Sequence, residues 1–158
     1  MPARSKARKR ALDLLFEAEI RGVDVLRLLD ERAAGSEPPV PEYAAVLVRG
    51  VQAHRAEIDG MLAEHSRGWS LDRMPAVDRN ILRIGTYELF WAGDVPPGVA
   101  ISEAVLLARD LSTDGSPAFV NGLLARLAEL RPAAGDDPGG EAEPGGEAGA
   151  DGEPGPEA

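Results

Sequence analysis

The chain has no cysteine, which excludes disulfides and any cysteine-based zinc or redox centre. No apolar run approaches the ~18–20 residues that would span a bilayer, and the start lacks the apolar stretch of a secretory signal. Sustained period-two alternation and internal repeats are both missing. So are a Gly-rich phosphate loop, a G-x-S-x-G elbow and an H-E-x-x-H pair. The only two histidines, His54 and His65, could share a helix face but stand ~16 Å apart along its axis, too far to hold one metal. The carboxylates are numerous but scattered. These absences argue against an enzyme, a metal site or a bound cofactor, and they predict a soluble, cytoplasmic protein.

What is present is an uneven charge. Five of the first ten residues are basic (Arg4, Lys6, Arg8, Lys9, Arg10), although the formal net charge of the 158 residues is −10. Residues 132–158 hold eight acids and no base, and residues 11–131 hold 12 bases against 19 acids. The acidic balance is therefore set largely by the far end and hides a local basic patch. Arg and Lys held by a folded domain make a phosphate-binding surface; the alternative is a solvated, frayed N-terminus. From Pro132 onward only Ala, Gly, Pro, Asp and Glu occur. Nothing there buries enough apolar surface to offset the entropy of ordering, so a disordered acidic tail is expected after a single domain of residues 1–131. Such a tail could mimic nucleic acid and compete for the basic head, or simply aid solubility.

Between these ends the pattern is helical throughout. Ala7, Ala11, Leu14, Leu15 and Ala18 share one arc, with Lys6, Lys9 and Arg10 pointing away from it and Gly22 as a stop. Phe16 falls at the edge of the arc on the side of Lys9, where it could stack on a nucleobase or complete the core margin. A short helix fits Val23 to Ala34. A long segment from Pro41 to about Ser66 follows, interrupted only by Gly50 and Gly60. The next helix opens at Ser70 or Pro75 and buries Val77, Ile81, Ile84, Gly85 and Leu89. Val99 to Leu111 forms another. Ser116-Pro117 reads as an N-cap and N1 proline before Phe119, Val120, Leu123, Leu124, Leu127 and Leu130. The expected fold is all-α, with six or seven helices packed as two bundles. Glu88 projects into the middle of its helix's apolar arc and Asp78 lies near the same arc. A carboxylate there needs a partner, either within the domain or on another protein.

Three blocks, Val77 to Leu89, Pro96 to Ala108 and Phe119 to Leu124, occur in an order and spacing that resembles the NusB family of bacterial transcription antitermination factors. The start, Arg4-Ser5-Lys6-Ala7-Arg8 followed by Leu14-Leu15-Phe16, is similar to that family's arginine-rich beginning. The resemblance spans roughly residues 4–131. It implies a helical adaptor without catalytic activity that pairs with NusE. Together they would grip boxA-type single-stranded RNA of nascent ribosomal RNA leaders and join other Nus factors on the RNA polymerase elongation complex to resist termination. By position, the family's RNA contacts fall on Arg4, Lys6, Arg8, Lys9 or Arg10, with aromatic contacts at Phe16 and His65. Its acidic contact with NusE falls on Asp78, with Glu88 near the same face. The loop 113–116 lacks acids found in relatives, and His65 is smaller than a tyrosine. Phosphate contacts plus stacked bases would give modest, salt-sensitive affinity that a second protein raises. A related helical domain joined to an RNA methyltransferase is a rival that the chain length disfavours. The other rival is a protein-only interaction module or homodimer, using surface side chains such as Trp69 and Trp91.

Overall fold

The computed structural model describes residues 2–35 and 37–131. The expected acidic tail, 132–158, lies outside the described residues. Seven α-helices follow one another: α1 (Ala3–Arg21), α2 (Val25–Gly35), α3 (Glu42–Ala53), α4 (Arg55–His65), α5 (Ala76–Trp91), α6 (Pro97–Leu111) and α7 (Ser116–Ala128). A single 3-10 turn, Leu71–Arg73, precedes α5, and there is no strand among the described residues. None of the described helices is long and apolar enough to cross a membrane.

Local chemistry sets the ends of these helices. The apolar arc of α1 is buried as its spacing requires, with Ala7, Ala11, Leu14, Leu15 and Ala18 all 5% exposed or less. Gly22 then adopts a left-handed φ of 68°. That lets its N–H reach Glu19 O at 3.3 Å and the Val23 N–H reach Ala18 O at 3.0 Å, a Schellman ending. At α6 the N-cap is Pro96, and Pro97 is the first helical residue rather than a barrier before Val99. The missing N–H of proline costs nothing there, because that donor has no intrahelical acceptor. At α7 the N-cap is Gly115, and Ser116 lies inside the helix. Its hydroxyl donates to Asp78 Oδ2 at 2.7 Å instead of capping its own helix. Helix α7 ends at Ala128, which leaves Leu130 exposed rather than on the apolar side.

The segment expected to run from Pro41 to Ser66 is two helices, and the break falls at His54, not at Gly50 or Gly60. His54 has φ −112° and ψ 20°, and its ring stacks on Trp91 with centroids 4.2 Å apart. Before the break α3 packs on α1, α2 and α5; beyond it α4 packs on α5 and α7. The chain must turn to serve both groups. Gly50 stays helical and has another task, since the Tyr87 ring occupies the space where a side chain would start, 2.2 Å from an ideal Cβ.

Helix α5 joins the two bundles. It packs on α1, α3, α4, α6 and α7. Ten of its sixteen residues are buried, including Asp78, Asn80, Arg83 and Glu88. Interior polar groups need partners, and each of these ties α5 to another element. Arg83 forms a two-pronged bond to Asp59 of α4, at 2.8 and 3.0 Å, and reaches Glu19 of α1 at 3.1 Å. Asn80 donates to the same Glu19 at 3.1 Å. Arg79 also binds Glu19 and holds the carbonyls of Leu71 and Met74 at 3.0 and 2.7 Å, which fixes the 3-10 turn. For Glu19, burial acts to raise the pKa, but the bonds from Arg79 and Asn80 and the nearby guanidinium charges outweigh it and lower the value.

Gly50→Ala should cost about 1–3 kcal/mol, because the new methyl meets a ring. Gly85→Ala should cost less: its Cβ meets the buried Leu124 Cδ1 at 2.7 Å, and alanine regains roughly 1 kcal/mol of helix propensity in partial offset. Urea unfolding of the two variants would give equal losses if the Tyr87 contact carried no weight. The depressed Glu19 carboxyl stabilises the fold fully above its unfolded pKa of about 4.3. That contribution is lost as pH falls through the lower folded value, so replacing Glu19 with Gln should shrink the acid-side decline in Tm.

Candidate nucleic-acid interface

The five bases of the head meet three different fates along α1. Arg8 points inward and is only 4% exposed. Its Nε donates to both carboxylate oxygens of Glu88 at 3.0 Å, and its Nη1 lies 3.4 Å from Glu103 Oε1. The Tyr43 hydroxyl donates to Glu88 as well, and Ser5 Oγ donates to Glu103 at 2.7 Å. Burial alone would lower the pKa of Arg8, yet the bond and charge of Glu88 more than offset this and raise it. Burial, then the Glu88 bond, push the Tyr43 hydroxyl well above its ordinary range, so it remains a donor. Glu88 therefore finds its partner inside the domain.

Arg4 sits at the rim. Its guanidinium lies 4.1 Å above the Tyr43 ring and donates to Asp94 Oδ2 at 2.9 Å. That bond holds the Asp94 carboxyl below its usual range. Both partners are largely solvated, so the pair is weak and open to exchange.

Lys6, Lys9 and Arg10 take the third course and line a groove of about 410 Å³ with Asp13, Pro38, Pro39 and Pro41. The prolines belong to the α2–α3 connection, which the packing of α1 on α2 and α3 carries alongside the head. One wall thus carries cationic side chains and the other presents rings without N–H donors. Lys9 approaches Asp13 only to 3.6 Å with both side chains about half exposed, which leaves its charge available to a stronger anion. Phe16 is half-buried and is not among the side chains packed on the core. Seven residues from Lys9, it falls within about 20° of the same helix line and roughly 10 Å further along it. Cations for phosphate and apolar faces for sugars or bases are the two elements that single-stranded RNA recognition needs.

Other expected contacts lie elsewhere. Arg8 and Glu88 are a buried pair, each compensating the other's charge inside the domain. Asp78 is fully buried. Its two oxygens accept the hydroxyls of Ser112 and Ser116, so it anchors the α6–α7 loop instead of offering a carboxylate outward. The bonds of His65 run to Met61 O at 3.1 Å and, through its carbonyl, from Arg126 of α7 at 3.2 Å. The structure does not bring it to the groove. Trp69 and Trp91 are half-buried against rings of their own domain, Phe119 and His54. The residues that sequence reading missed are Tyr43, Glu103 and the three prolines. Arg8 itself carried a signal: it lies one turn before Leu12 and three residues before Ala11, within reach of the buried arc.

Removal of Glu88 should leave the Arg8 charge buried and uncompensated. Glu88→Ala is expected to cost about 3–5 kcal/mol in denaturant unfolding, whereas the double change Arg8→Met with Glu88→Leu should cost less than Glu88→Ala alone. A double variant that is worse than the single one would show that Arg8 is not held mainly by this carboxylate.

Comparison with known proteins places this geometry. The NusB family model matches residues 5–129. The chain is 57% identical over 131 residues to the transcription antitermination protein NusB of Thermobifida fusca, covering 83% of this chain and 92% of that one. It is 59% identical over 131 residues to the protein of the same name from Kineococcus radiotolerans, covering 83% and 96%. Among solved structures, T. maritima NusB superposes with a TM-score of 0.76 at 33% identity, covering 85% of this chain and 96% of that one. A crystal structure of antitermination factors NusB and NusE in complex with dsRNA matches with a TM-score of 0.69 at 30% identity, covering 80% and 96%.

Proposed function

The chain belongs to the NusB family, and from that premise we propose that it is a transcription antitermination factor. It binds boxA-type RNA of nascent ribosomal RNA leaders together with NusE. In this reading it works in the cytoplasm by binding, without a catalytic step, and joins other Nus factors on the RNA polymerase elongation complex. The observation that carries the reading is the groove in which Lys6, Lys9 and Arg10 face the proline wall of the α2–α3 connection. The phosphates lie along the cationic side, the sugars or bases rest on the prolines, and Phe16 extends the apolar contact. Arg4 adds a rim cation once it leaves Asp94. Arg8, Glu88 and Tyr43 act indirectly by holding α1 in the orientation that turns its other bases outward. Asp78 holds the 112–116 loop in the same indirect way.

So few cations give modest affinity, which explains the need for a second protein that supplies more RNA surface. Fluorescence anisotropy with boxA RNA, a scrambled strand and a duplex, with and without NusE, tests this. The duplex is included because the NusB–NusE neighbour holds double-stranded RNA. Binding should be tightest for boxA in the presence of NusE. Replacing Lys6, Lys9 and Arg10 with Ala should flatten the plot of log affinity against log salt by about 2, at ~0.7 per lost contact to a single strand. Weak binding to all three RNAs, indifferent to NusE and unchanged in slope by the triple replacement, would overturn the assignment in favour of a protein-interaction module.

A further inference from the structure

The basic groove has a matching polyanion in the chain itself. Lys6 forms no ion pair with another described residue, and Lys9 meets Asp13 only at 3.6 Å. Residues 132–158 bring eight carboxylates, from Asp136 to Glu157, with no Lys or Arg among them. The root of that segment is fixed near the head. Arg131 Nε donates to the Leu89 carbonyl at 2.7 Å, and the preceding residue on α5, Glu88, is the one that grips Arg8. The last described residue before the acidic segment is thus held by its side chain to α5, the helix that also anchors α1. Fully extended, 27 residues span up to about 90 Å, so length does not limit which acids reach the groove. A tether this short holds its carboxylates at an effective concentration in the millimolar range. The segment has no aromatic or amide side chain, so it suits the groove by charge and by proline and glycine backbone.

We infer that residues 132–158 occupy the Lys6–Lys9–Arg10 groove when RNA is absent and compete there with RNA phosphates. The apparent RNA affinity is then lowered by the fraction of time the groove is covered. Occupancy stands independently of the RNA reading given above; only the competition rests on it. Salt acts on this protein in two opposed ways, weakening the RNA contact and also releasing the segment that competes with it.

The test uses the full chain and a variant of equal length with a neutral tail. The variant carries Asp136→Asn, Asp137→Asn, Asp151→Asn, and Glu→Gln at positions 141, 143, 147, 153 and 157. Amide spectra without RNA are compared at about 20 and about 500 mM salt, where screening lengths are roughly 20 and 4 Å. Expected are shift differences at Lys6, Lys9 and Arg10 in low salt that vanish in high salt and do not change on dilution. Anisotropy with boxA RNA should then show severalfold tighter binding by the neutral-tail variant in low salt and equal binding in high salt. Identical head spectra would overturn the proposal, as would differences that appear only away from the head or that depend on protein concentration. Tighter RNA binding with unchanged head spectra would overturn docking as well, leaving only long-range repulsion. Head shifts with no RNA binding by either protein would uphold occupancy and sink the RNA reading instead.

Discussion

The buried pair of Arg8 and Glu88 is the interaction on which the rest of this structure depends. A guanidinium only 4% exposed is tolerable only with its charge compensated and its donors engaged. Glu88 from α5, Glu103 from α6, and the Tyr43 hydroxyl from α3 complete that arrangement. Three helices therefore converge on one residue of the first. This constraint also sets the direction of the head. Successive helical residues step by about 100°, so turning Arg8 inward sends Lys6, Lys9 and Arg10 outward along a different line. One base of the cluster gives up contact with solvent so that its neighbours keep theirs.

The same logic runs the length of α5. A helix buried on most sides would be simplest with an apolar sequence, yet this one carries Asp78, Asn80, Arg83 and Glu88 inside. Each is matched to a single geometry. Arg83 fits the fork of Asp59 and the edge of Glu19, and Asp78 fits the two serines that flank the α6–α7 loop. Apolar packing would permit α5 to rotate or slide by a fraction of a turn at small cost. The paired groups do not, because any such move leaves an interior charge without its partner. The outcome is a rigid centre from which the head and the 112–116 loop are both positioned.

Charge distribution links this scaffold to the proposed role. Several bases of the domain, Arg79 and Arg83 among them, are matched to acids within it, and the chain as a whole is strongly acidic. The groove beside Pro38 and Pro39 gathers three cations in one place, and their field is short-ranged in physiological salt. A small cationic surface of that kind binds phosphates weakly alone and gains from any neighbour that extends it. It is also sensitive to a competing polyanion on the same chain.

Much of this was legible in the residues. The 3.6-residue spacing set out the helices, Gly22 marked the end of the first, and the acid in the middle of the α5 arc declared that Glu88 needs a partner. The three motif blocks and the basic start pointed to the family. All of these are local properties, decided by backbone sterics, capping and periodicity over a few turns. The sequence alone did not settle which bases of the head face inward, because Arg8 pairs with a carboxylate 80 positions away. Nor did it settle that His54 rather than a glycine breaks the third segment, or that three prolines form a wall opposite the lysines. Nor did it settle which groups partner Asp78, which is enclosed by the hydroxyls of Ser112 and Ser116. Those outcomes were decided by packing: burial in the assembled core brings distant groups within bonding distance, and the cost of leaving a charge unpaired there selects the one arrangement in which each finds its counterpart.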